Sequence, residues 1–461
     1  MTKNQRGAKP RRPGPPPPAP GSADRIPPAA KPGLAPRMAA VKLLSAVVDQ
    51  KTSLDGMMDE EHGNPAYRAL NAADRALVRA ILHSCLRQLT RIDAIFDGFL
   101  DKPLPDGARN LRHILAVAAA QILFLDVPDH SAVDLAVEQA RRDPRSARFA
   151  NLVNALLRRL GREKETVLTE ASAAVPIFPA WFQQRLEEVY GPDAARGIGE
   201  ACLTPAPVDL TTRSEAAGWA ERLGGAVLPT GSVRLPVFEG SVTALAGFAE
   251  GAWWVQDAAA AIPAKLFGDL AGRDVADLCA APGGKTAQLI LAGGRVTAVE
   301  QSASRMKRLK ANLARLGMEA EFLQSGLEDL DPEPRFDAIL LDAPCSSTGT
   351  IRRHPDVFWT KDAGDVAKLA GVQARLLRHA FAMLRPGGTL VFSNCSLDPA
   401  EGEALVDAFL AETPDAARRP ARPEDWPGLE TAVDARGDIR TTPAMLGGVD
   451  GFYAAVLTRL G

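Results

Sequence analysis

Apolar residues recur at helical spacing through the first third of the chain. One stripe consists of Val41, Leu43, Leu44, Val47 and Val48. Residues 77–86 carry a second stripe with the same three- and four-residue spacing. We therefore predict an all-α domain over residues 37–165. Residues 166–250 mix short helical and strand-like pieces with Gly and Pro residues, which indicates a small α+β connecting subdomain.

The pattern changes after Trp253, where strand-like runs alternate with helical stretches. The runs fall at residues 275–279, 296–300, 322–324, 336–342, 389–394 and 452–457, and helices are expected at residues 304–316 and 366–384. This alternation predicts an α/β, Rossmann-like domain over residues 251–461 with a largely parallel, doubly wound sheet. Ligands of such sheets bind beyond the carboxyl ends of the strands, so the candidate chemistry is sought there.

Composition adds limits rather than a function. The 461 residues suffice for two to four domains, and 46% hydrophobic with 24% charged residues is typical of a globular protein. Neither an apolar run of about 18 residues nor a secretory signal is apparent, so we expect a cytoplasmic protein without a membrane span. Residues 1–36 contain 11 prolines and predict a disordered basic tail, which either contacts phosphates or only solubilises the chain.

The net charge of −2 excludes a uniformly basic surface, but positive charge is concentrated locally. The last predicted helices of the all-α domain carry a run of arginines that could contact nucleic acid: Arg141, Arg142, Arg145, Arg148, Arg158 and Arg159. Taken alone, this run is equally well explained as the solvated face of a helix. The five cysteines form no C-x-x-C pair, so we expect no metal site and no disulfide framework, and each is judged as a single thiol.

A glycine-bearing loop follows the first strand of the α/β domain. It reads Asp277-Leu-Cys-Ala-Ala-Pro-Gly-Gly-Lys-Thr286, and its glycines allow a close backbone approach to a ligand. A phosphate-binding P-loop would need a glycine where Cys279 stands, and a dinucleotide G-x-G-x-x-G is absent. Glu300 ends the second strand, where a carboxylate suits ribose hydroxyls. Together they indicate an adenosine-containing cofactor.

Two thiols follow two further strands. Asp342 and Cys345 end the fourth strand, and Cys395 ends the fifth, so all three are expected at one edge of the sheet. Methylation of cytosine at carbon 5 needs a thiolate that first adds to carbon 6, because carbon 5 is otherwise a poor nucleophile, and cysteine is well suited to this step. A carboxyl group at Asp342 can interact with the N3 edge of the pyrimidine.

These motifs closely resemble those of the Sun-type RNA 5-methylcytosine methyltransferases. The similarity spans roughly residues 37–461 and is carried by residues 277–286, by Asp342-Ala-Pro-Cys-Ser-Ser-Thr-Gly349, by Ile351-Arg-Arg-His-Pro-Asp356 and by Asn394-Cys-Ser396. The segment Asn151-Leu-Val-Asn-Ala-Leu-Leu-Arg-Arg-Leu160 is similar to the NusB-like RNA-binding domain of that family.

The resemblance implies a class I methyltransferase that methylates a cytosine of small-subunit ribosomal RNA. It implies Cys395 as the nucleophile and Cys345 as the residue that helps to release the product. It further implies that S-adenosyl-L-methionine is bound by Cys279, Ala280, Ala281, Pro282, Gly283, Gly284, Lys285, Glu300 and Asp342. The arginine-rich helices then become an expected RNA surface. We expect a monomer. Transfer RNA as substrate, or a non-catalytic RNA-binding assembly factor, are the alternatives.

Three positions depart from the family pattern. Ser325 and Gly326 stand where an adenine-side acid is usual, with Glu328 and Asp329 slightly later, so the adenine contact is left unassigned. Asn394 replaces the usual threonine before the nucleophile, which could alter hydrogen bonding near the thiol. Arg213, in the sequence Thr212-Arg213-Ser214, is a further candidate RNA contact despite its changed surroundings.

Overall fold

The computed structural model of the chain describes residues 31–236 and 240–461. Most of the basic tail expected at residues 1–36 therefore lies outside the described residues. Helix α1 (Leu34–Gln50) begins inside the last part of that predicted tail. It starts there because Leu34 is fully buried in the protein interior, which fixes the beginning of the helix before the expected boundary at residue 37.

The amino-terminal part is a helical domain with one continuous apolar core. Its helices are α1, α2 (Leu54–Met57), α3 (Pro65–Arg68), α4 (Ala72–Phe99), α5 (Arg109–Phe124), α6 (Asp129–Arg142) and α7 (Ala150–Ala174). Both predicted stripes face the core, with Leu43 and Leu44 of α1 and Ile81 and Leu82 of α4 fully buried. The helical spacing of apolar residues thus produces the domain.

Helix α7 continues past the domain boundary expected at residue 165. Val167 and Ala171 extend the apolar stripe that includes Leu160, and all three side chains are buried against the helical core. Because these residues keep the helical spacing, the helix ends only at Ala174.

The connecting region contains two helices followed by a small antiparallel sheet. Its elements are α8 (Ala180–Tyr190), α9 (Pro192–Leu203), β1 (Asp209–Thr212), α10 (Ala216–Leu223), β2 (Ala226–Val227), β3 (Val233–Arg234) and β4 (Trp253–Val255). The strand order is β2-β3-β1-β4. Strand β4 lies beyond the expected limit at residue 250, because Trp253 is fully buried in the core of this sheet and pairs with Thr212.

The carboxyl-terminal domain is an α/β domain with helices on both faces of its sheet. Its elements are α11 (Ile262–Lys265), β5 (Asp274–Leu278), α12 (Gly284–Leu291), β6 (Arg295–Val299), α13 (Ala303–Leu316), β7 (Glu321–Leu323), β8 (Phe336–Asp342), α14 (Val357–Thr360), α15 (Ala363–Ala382), β9 (Leu384–Asn394), α16 (Glu403–Glu412), β10 (Ala416–Arg418), β11 (Ile439–Thr441) and β12 (Phe452–Arg459). The main strand order is β10-β12-β9-β8-β5-β6-β7, with β11 paired to β12. Strands β5 to β9 are parallel, and β12 runs antiparallel to β9.

The register of the parallel strands brings the predicted site residues at the strand ends to one edge of the sheet. Leu278 lies opposite Val299 of β6 and Leu341 of β8, while Asp342 lies opposite Ser393 of β9. The residues that follow these strands therefore meet at the carboxyl edge of the sheet, as expected for ligand sites of doubly wound folds. Among the described helices, none is both long enough and apolar enough to cross a membrane.

Candidate functional site

The loop after β5 turns sharply into helix α12. Gly283 has a φ of 103°, a left-handed conformation that side chains rarely adopt. A Cβ at this position would also lie 2.6 Å from the Leu309 side chain of α13. The loop thus needs glycine at residue 283 to pass close to α13 and present its backbone at the carboxyl edge of the sheet.

Two buried carboxylates at this edge each keep one oxygen atom without a hydrogen-bond partner among the described residues. Asp277 accepts from Thr286 at 2.6 Å through Oδ2, and its Oδ1 is unsatisfied. Glu300 accepts from the Ser302 amide at 2.9 Å through Oε1, and its Oε2 is unsatisfied, with the Arg305 guanidinium 3.4 Å away. Burial raises the pKa of Asp277 to about 7. Unpartnered buried oxygens are costly, so these two indicate a polar ligand.

Asp342 forms an ion pair with Lys285, which was predicted only as part of the cofactor loop. Lys285 Nζ donates to Asp342 Oδ2 at 2.8 Å, and Ser393 Oγ donates to Asp342 Oδ1 at 3.0 Å. The Lys285 ammonium also lies 4.8 Å from the centre of the Phe452 ring. The site therefore offers a fixed pair of opposite charges where a lone carboxyl group was expected.

The two strand-end thiols meet. Cys345 Sγ and Cys395 Sγ are 3.5 Å apart, and both side chains are partly buried. The hydrogen bond from Cys345 lowers the pKa of Cys395, and a further hydrogen bond from Ser347 acts in the same direction against burial and the Asp342 charge. The same hydrogen bond, followed by burial, raises the pKa of Cys345 well above its ordinary value. Cys345 thus keeps its proton and donates a hydrogen bond to Cys395, which is the better nucleophile.

The remaining thiol of the site has different properties. Cys279 lies in the cofactor loop, where burial, followed by the charges of Asp342 and Glu300, raises its pKa to about 12. It therefore stays protonated at neutral pH and is unsuited to nucleophilic attack.

A buried glutamate holds the two cysteine-bearing turns together. Glu401 is fully buried. It accepts hydrogen bonds from the amide and hydroxyl of Ser346, at 2.9 and 2.5 Å, and from the hydroxyl of Ser396 at 2.5 Å. Gln373 Nε2 donates to it at 2.8 Å. Glu401 was not predicted from the sequence, because it lies 55 residues from Ser346 and belongs to none of the motifs described above.

Asn394 belongs to the same network and does not contact the thiols through a recorded hydrogen bond. Its Nδ2 donates to the Glu401 carbonyl at 2.5 Å, and its Oδ1 accepts from the Ser396 amide at 3.0 Å. The asparagine that replaces the usual threonine therefore shapes the turn after β9. Its expected effect on hydrogen bonding near Cys395 is indirect.

Two cavities flank the Lys285–Asp342 pair. The first has a volume of about 340 Å³ and is lined by the loop from Cys279 to Lys285, Asp277 and the end of β4. The second, of about 620 Å³, is lined by Glu300, Gly326, Asp329 and the two thiols. Asp342 and Cys279 border both. An elongated ligand can therefore pass beside Asp342 with one end in each cavity.

The structure also offers a carboxylate near the unassigned adenine position. The Asp329 carboxylate lies against Gly326, only 2.6 Å from where a Cβ of that residue would stand. Glu328 instead forms an exposed ion pair with Arg375 at 3.2 Å. Both acids line the second cavity, but Asp329 is the one whose carboxylate lies against Gly326.

The candidate RNA contacts are exposed, but their surroundings differ. Arg142 and Arg159 form ion pairs within their own helices, with Glu138 and Glu163. Arg213 Nη1 donates to the Leu316 carbonyl at 2.7 Å.

The other candidate RNA contacts are less engaged by acidic side chains. Arg148 stacks on Phe149, and Arg145 forms no ion pair within the described part of the chain. Arg141 and Arg158 line a groove of about 510 Å³ between α6 and α7. None of these residues lies in the two cavities at the sheet edge.

Within residues 31–236 and 240–461, no group of three or more His, Cys, Asp or Glu side chains is arranged to hold a metal ion.

Comparisons with known proteins agree with both domains. The family model described as 16S rRNA methyltransferase RsmB/F matches residues 270–458, and the NusB family model matches residues 34–162. Ribosomal RNA small subunit methyltransferase B from Vibrio cholerae serotype O1 is 35% identical over 440 residues, which cover 92% of this chain and 97% of that protein. The protein of the same name from Salmonella arizonae is 34% identical, with 92% and 98% covered.

The solved structure of PH0851 superposes on this chain with a TM-score of 0.70 and covers 93% of this chain and 99% of its own. At 22% identity this likeness shows the fold alone. The relatives at about 35% identity extend over almost the whole chain. They confirm the family resemblance predicted from the motifs, as well as the NusB-like helical domain. The chain belongs to the RsmB/F family of 16S rRNA methyltransferases.

Proposed function

We propose that the protein transfers a methyl group from S-adenosyl-L-methionine to carbon 5 of a cytosine in small-subunit ribosomal RNA, through a covalent adduct with Cys395. The observation that carries this proposal is the thiol pair. Cys345 and Cys395 approach to 3.5 Å beside the Lys285–Asp342 ion pair, at the edge where the ligand cavities meet. A methyltransferase of nitrogen or oxygen atoms needs no such pair, whereas cytosine carbon 5 requires a nucleophile.

The side chains at the sheet edge fit S-adenosyl-L-methionine. The Oε2 of Glu300, which accepts no hydrogen bond within the described residues, suits a ribose hydroxyl, and Asp329 supplies an acceptor on the adenine side of the same cavity. The unpartnered Oδ1 of Asp277 in the other cavity suits the ammonium group of the methionine end. When bound, this cofactor supplies an electrophilic methyl group.

Cys395 performs the covalent chemistry on the pyrimidine. Its thiolate adds to carbon 6, and the electron pair of the former carbon 5–carbon 6 double bond becomes available at carbon 5 for methylation. A base then removes the proton from carbon 5, the double bond re-forms, and the sulfur leaves as a thiolate. The Lys285 ammonium, held by Asp342, can stabilise the negative charge that develops on the N3 edge during addition.

Cys345 is suited to the last of these steps because of its neighbour. In the free protein the hydrogen bond to Cys395 is the largest cause that raises its pKa, and the charge of Cys395 adds to it. Once Cys395 is a neutral thioether, both contributions are lost, so the pKa of Cys345 falls. A larger fraction of Cys345 is then present as the thiolate, which is the form that can accept the carbon 5 proton.

The family and the helical domain support ribosomal RNA as the proposed substrate. The relatives from Vibrio cholerae and Salmonella arizonae are named as small-subunit ribosomal RNA methyltransferases. The exposed arginines of α6 and α7 can contact phosphates, which position RNA without reading its sequence. The target cytosine must leave its stack to reach Cys395, which costs a few kcal/mol and favours an unpaired site.

The proposal is tested by mapping 5-methylcytosine after incubation of the purified protein with unmodified RNA and S-adenosyl-L-methionine. Bisulfite sequencing of small-subunit ribosomal RNA should show one methylated cytosine with the natural protein and none with Cys395→Ala. Cys345→Ala should form a covalent RNA adduct that survives denaturing electrophoresis, because attack remains and release is impaired. Cys202→Ala, a buried thiol of α9 outside the site, serves as the control and should methylate normally.

Other outcomes would decide against parts of this proposal. Methylation of transfer RNA with unmodified ribosomal RNA would replace the substrate and keep the chemistry. Full activity of Cys395→Ala would overturn the nucleophile. RNA binding without any methyl transfer by the natural protein would favour a non-catalytic assembly factor.

A further inference from the structure

The segment Ile351-Arg-Arg-His-Pro-Asp356, here called the bridging segment, joins the helical domain to the ligand cavities. The bridging segment contributes to the family resemblance, but it has no role in the chemistry proposed above. It follows the turn after Cys345 and precedes helix α14.

The helical domain binds the bridging segment through buried hydrogen bonds. Arg87 of α4 donates to the Arg352 carbonyl at 2.7 Å, and the amide of Leu54 donates to Asp356 Oδ2 at 2.9 Å. Arg87, Arg352, Leu54 and Asp356 are all buried. Because both partners of each bond are buried, water does not compete for these bonds. They therefore hold the bridging segment in one position relative to the helical domain.

A second set of contacts fixes the same segment to the α/β domain. The buried Arg352 guanidinium lies 3.2 Å from Asp257 and donates to the Val449 carbonyl at 3.1 Å. Arg353 Nε donates to the Asp450 carboxylate at 3.1 Å, and its Nη2 donates to the same carboxylate. The Asp450 amide in turn donates to Asp257 at 3.0 Å. Two arginines and two aspartates therefore form one connected cluster.

Arg353 differs from the rest of this cluster because it reaches into a cavity. Its side chain is 39% exposed, whereas those of Arg352, Asp257 and Asp450 are at most 4% exposed. It lines the first cavity together with Lys285 and Asp342. Its Nε and Nη2 are used by Asp450, while its Nη1 group donates to no residue of the described chain. One edge of a fixed guanidinium is thus available to a ligand.

We propose that Arg353 binds an oxyanion of a ligand in the catalytic cleft, and that the helical domain sets its position through the bridging segment. A guanidinium with an open edge forms charge-assisted hydrogen bonds with phosphate or carboxylate groups. Two sources of such a group meet here: the phosphate of the target nucleotide and the carboxylate of the cofactor. This inference rests on the proposed function, and its test measures binding rather than methyl transfer.

The test compares affinities of the full-length protein for two probes measured separately. The probes are S-adenosylhomocysteine, by calorimetry, and a fluorescent fragment of unmodified small-subunit ribosomal RNA, by anisotropy. Arg353→Gln should weaken one of them by about 10-fold or more, as expected for a lost charge-assisted hydrogen bond. Arg353→Lys keeps the charge opposite Asp450 and should lose a smaller part. Arg295→Gln removes an exposed arginine at the opposite edge of the sheet and should change neither affinity.

Each result has a definite meaning. A loss confined to RNA identifies the phosphate, and a loss confined to S-adenosylhomocysteine identifies the carboxylate. Unchanged affinities for both probes overturn the proposal, and so does an equal loss of both, which would indicate a general distortion of the cleft. Binding of both probes remains measurable even if methylation fails, so failure of the proposed function is distinguishable.

The role of the helical domain is tested by Asp356→Ala. This change removes the acceptor of the Leu54 amide, and it should lower the affinity for the same probe that Arg353→Gln affects, by a smaller factor. The control is Lys51→Ala, which removes an exposed ion pair with Asp362 between the same two domains. If Asp356→Ala leaves that affinity unchanged, the proposal that the helical domain positions Arg353 is wrong. The proposal that Arg353 binds the oxyanion still holds in that case.

Discussion

At the scale of single residues, the two thiols at the strand ends differ because each changes the proton affinity of the other. Cys345 donates to Cys395 and stabilises its thiolate, so the pKa of Cys395 is lowered and that of Cys345 is raised. A thiolate reacts with iodoacetamide and a thiol does not. Alkylation of Cys395 should therefore rise with pH at lower values than for an ordinary cysteine.

Cys345→Ala should shift this alkylation curve to higher pH. The substitution removes the donor that stabilises the Cys395 thiolate, so the pKa of Cys395 rises and less thiolate is present at neutral pH. Mass spectrometry of the Cys395 peptide, with the protein alone and no RNA, measures the effect. Cys345→Ser keeps a donor and should remain closer to the natural protein. A curve that does not move in Cys345→Ala would contradict this coupling.

The position of most side chains at the candidate site could be predicted from the sequence, because they lie at the carboxyl ends of parallel strands. Cys279, Glu300, Asp342 and Cys395 follow parallel strands, so their meeting at one edge depends only on the α/β alternation. The pairing of Lys285 with Asp342 could not be predicted in this way. It depends on the start of helix α12 facing β8 across 57 residues of sequence, which no local pattern encodes.

At the scale of elements, the turns after β8 and β9 depend on one buried carboxylate. Glu401→Ala would leave four donors of Ser346, Ser396 and Gln373 without their acceptor. Unsatisfied buried groups cost about 1–3 kcal/mol each, so we expect a local destabilisation of about 3 kcal/mol or more. Hydrogen exchange of residues 345–349 and 395–398 should accelerate, and methyl transfer should fall by about 10-fold or more because the thiols are no longer aligned.

Two further substitutions make this expectation specific. Glu401→Gln keeps an acceptor at the same place and should show smaller effects on both exchange and activity. Glu412→Gln, at the end of α16, removes only an exposed ion pair with Arg378 and should change neither. Normal exchange in the two turns of Glu401→Ala would show that they are held by other contacts.

The first and last residues of the helices and strands were harder to predict than the presence of these elements. The predicted strand at residues 275–279 is shifted by one residue in β5 (Asp274–Leu278), because pairing with β6 and β8 decides where a strand ends. Helix α7 passes residue 165 because Val167 and Ala171 find a core to pack against. Such ends depend on distant partners, whereas the apolar spacing that predicts a helix or strand is local.

At the scale of the whole molecule, the groove between α6 and α7 presents positive charge away from the catalytic cleft. The two aspartates that line the groove are offset by lysines. Asp134 pairs with Lys31 at 2.9 Å, and Asp129 lies 4.0 Å from Lys164. The groove arginines Arg141, Arg158 and Arg162 form no recorded ion pair within the described residues. This groove therefore has unbalanced positive charge, and under the proposed function we expect it to contact the phosphates of the RNA substrate.

Two neighbouring arginines of α7 allow a matched test of this arrangement. Arg158 lines the groove, whereas Arg159 is paired with Glu163 at 3.1 Å and its guanidinium lies 4.1 Å from the centre of the Phe99 ring. Arg158→Gln should weaken RNA binding at low salt and reduce the slope of log K against log salt by about one, as for the loss of one phosphate contact.

Arg159→Gln removes the same charge from the same helix and should change the slope less, because Glu163 already offsets that arginine. Anisotropy with a ribosomal RNA fragment between 50 and 200 mM salt, a range of about fourfold, gives both slopes. The affinity for S-adenosylhomocysteine should be unchanged in both variants, since neither residue lines the cavities at the sheet edge. Equal slopes for Arg158→Gln and the natural protein would place the RNA elsewhere on the helical domain.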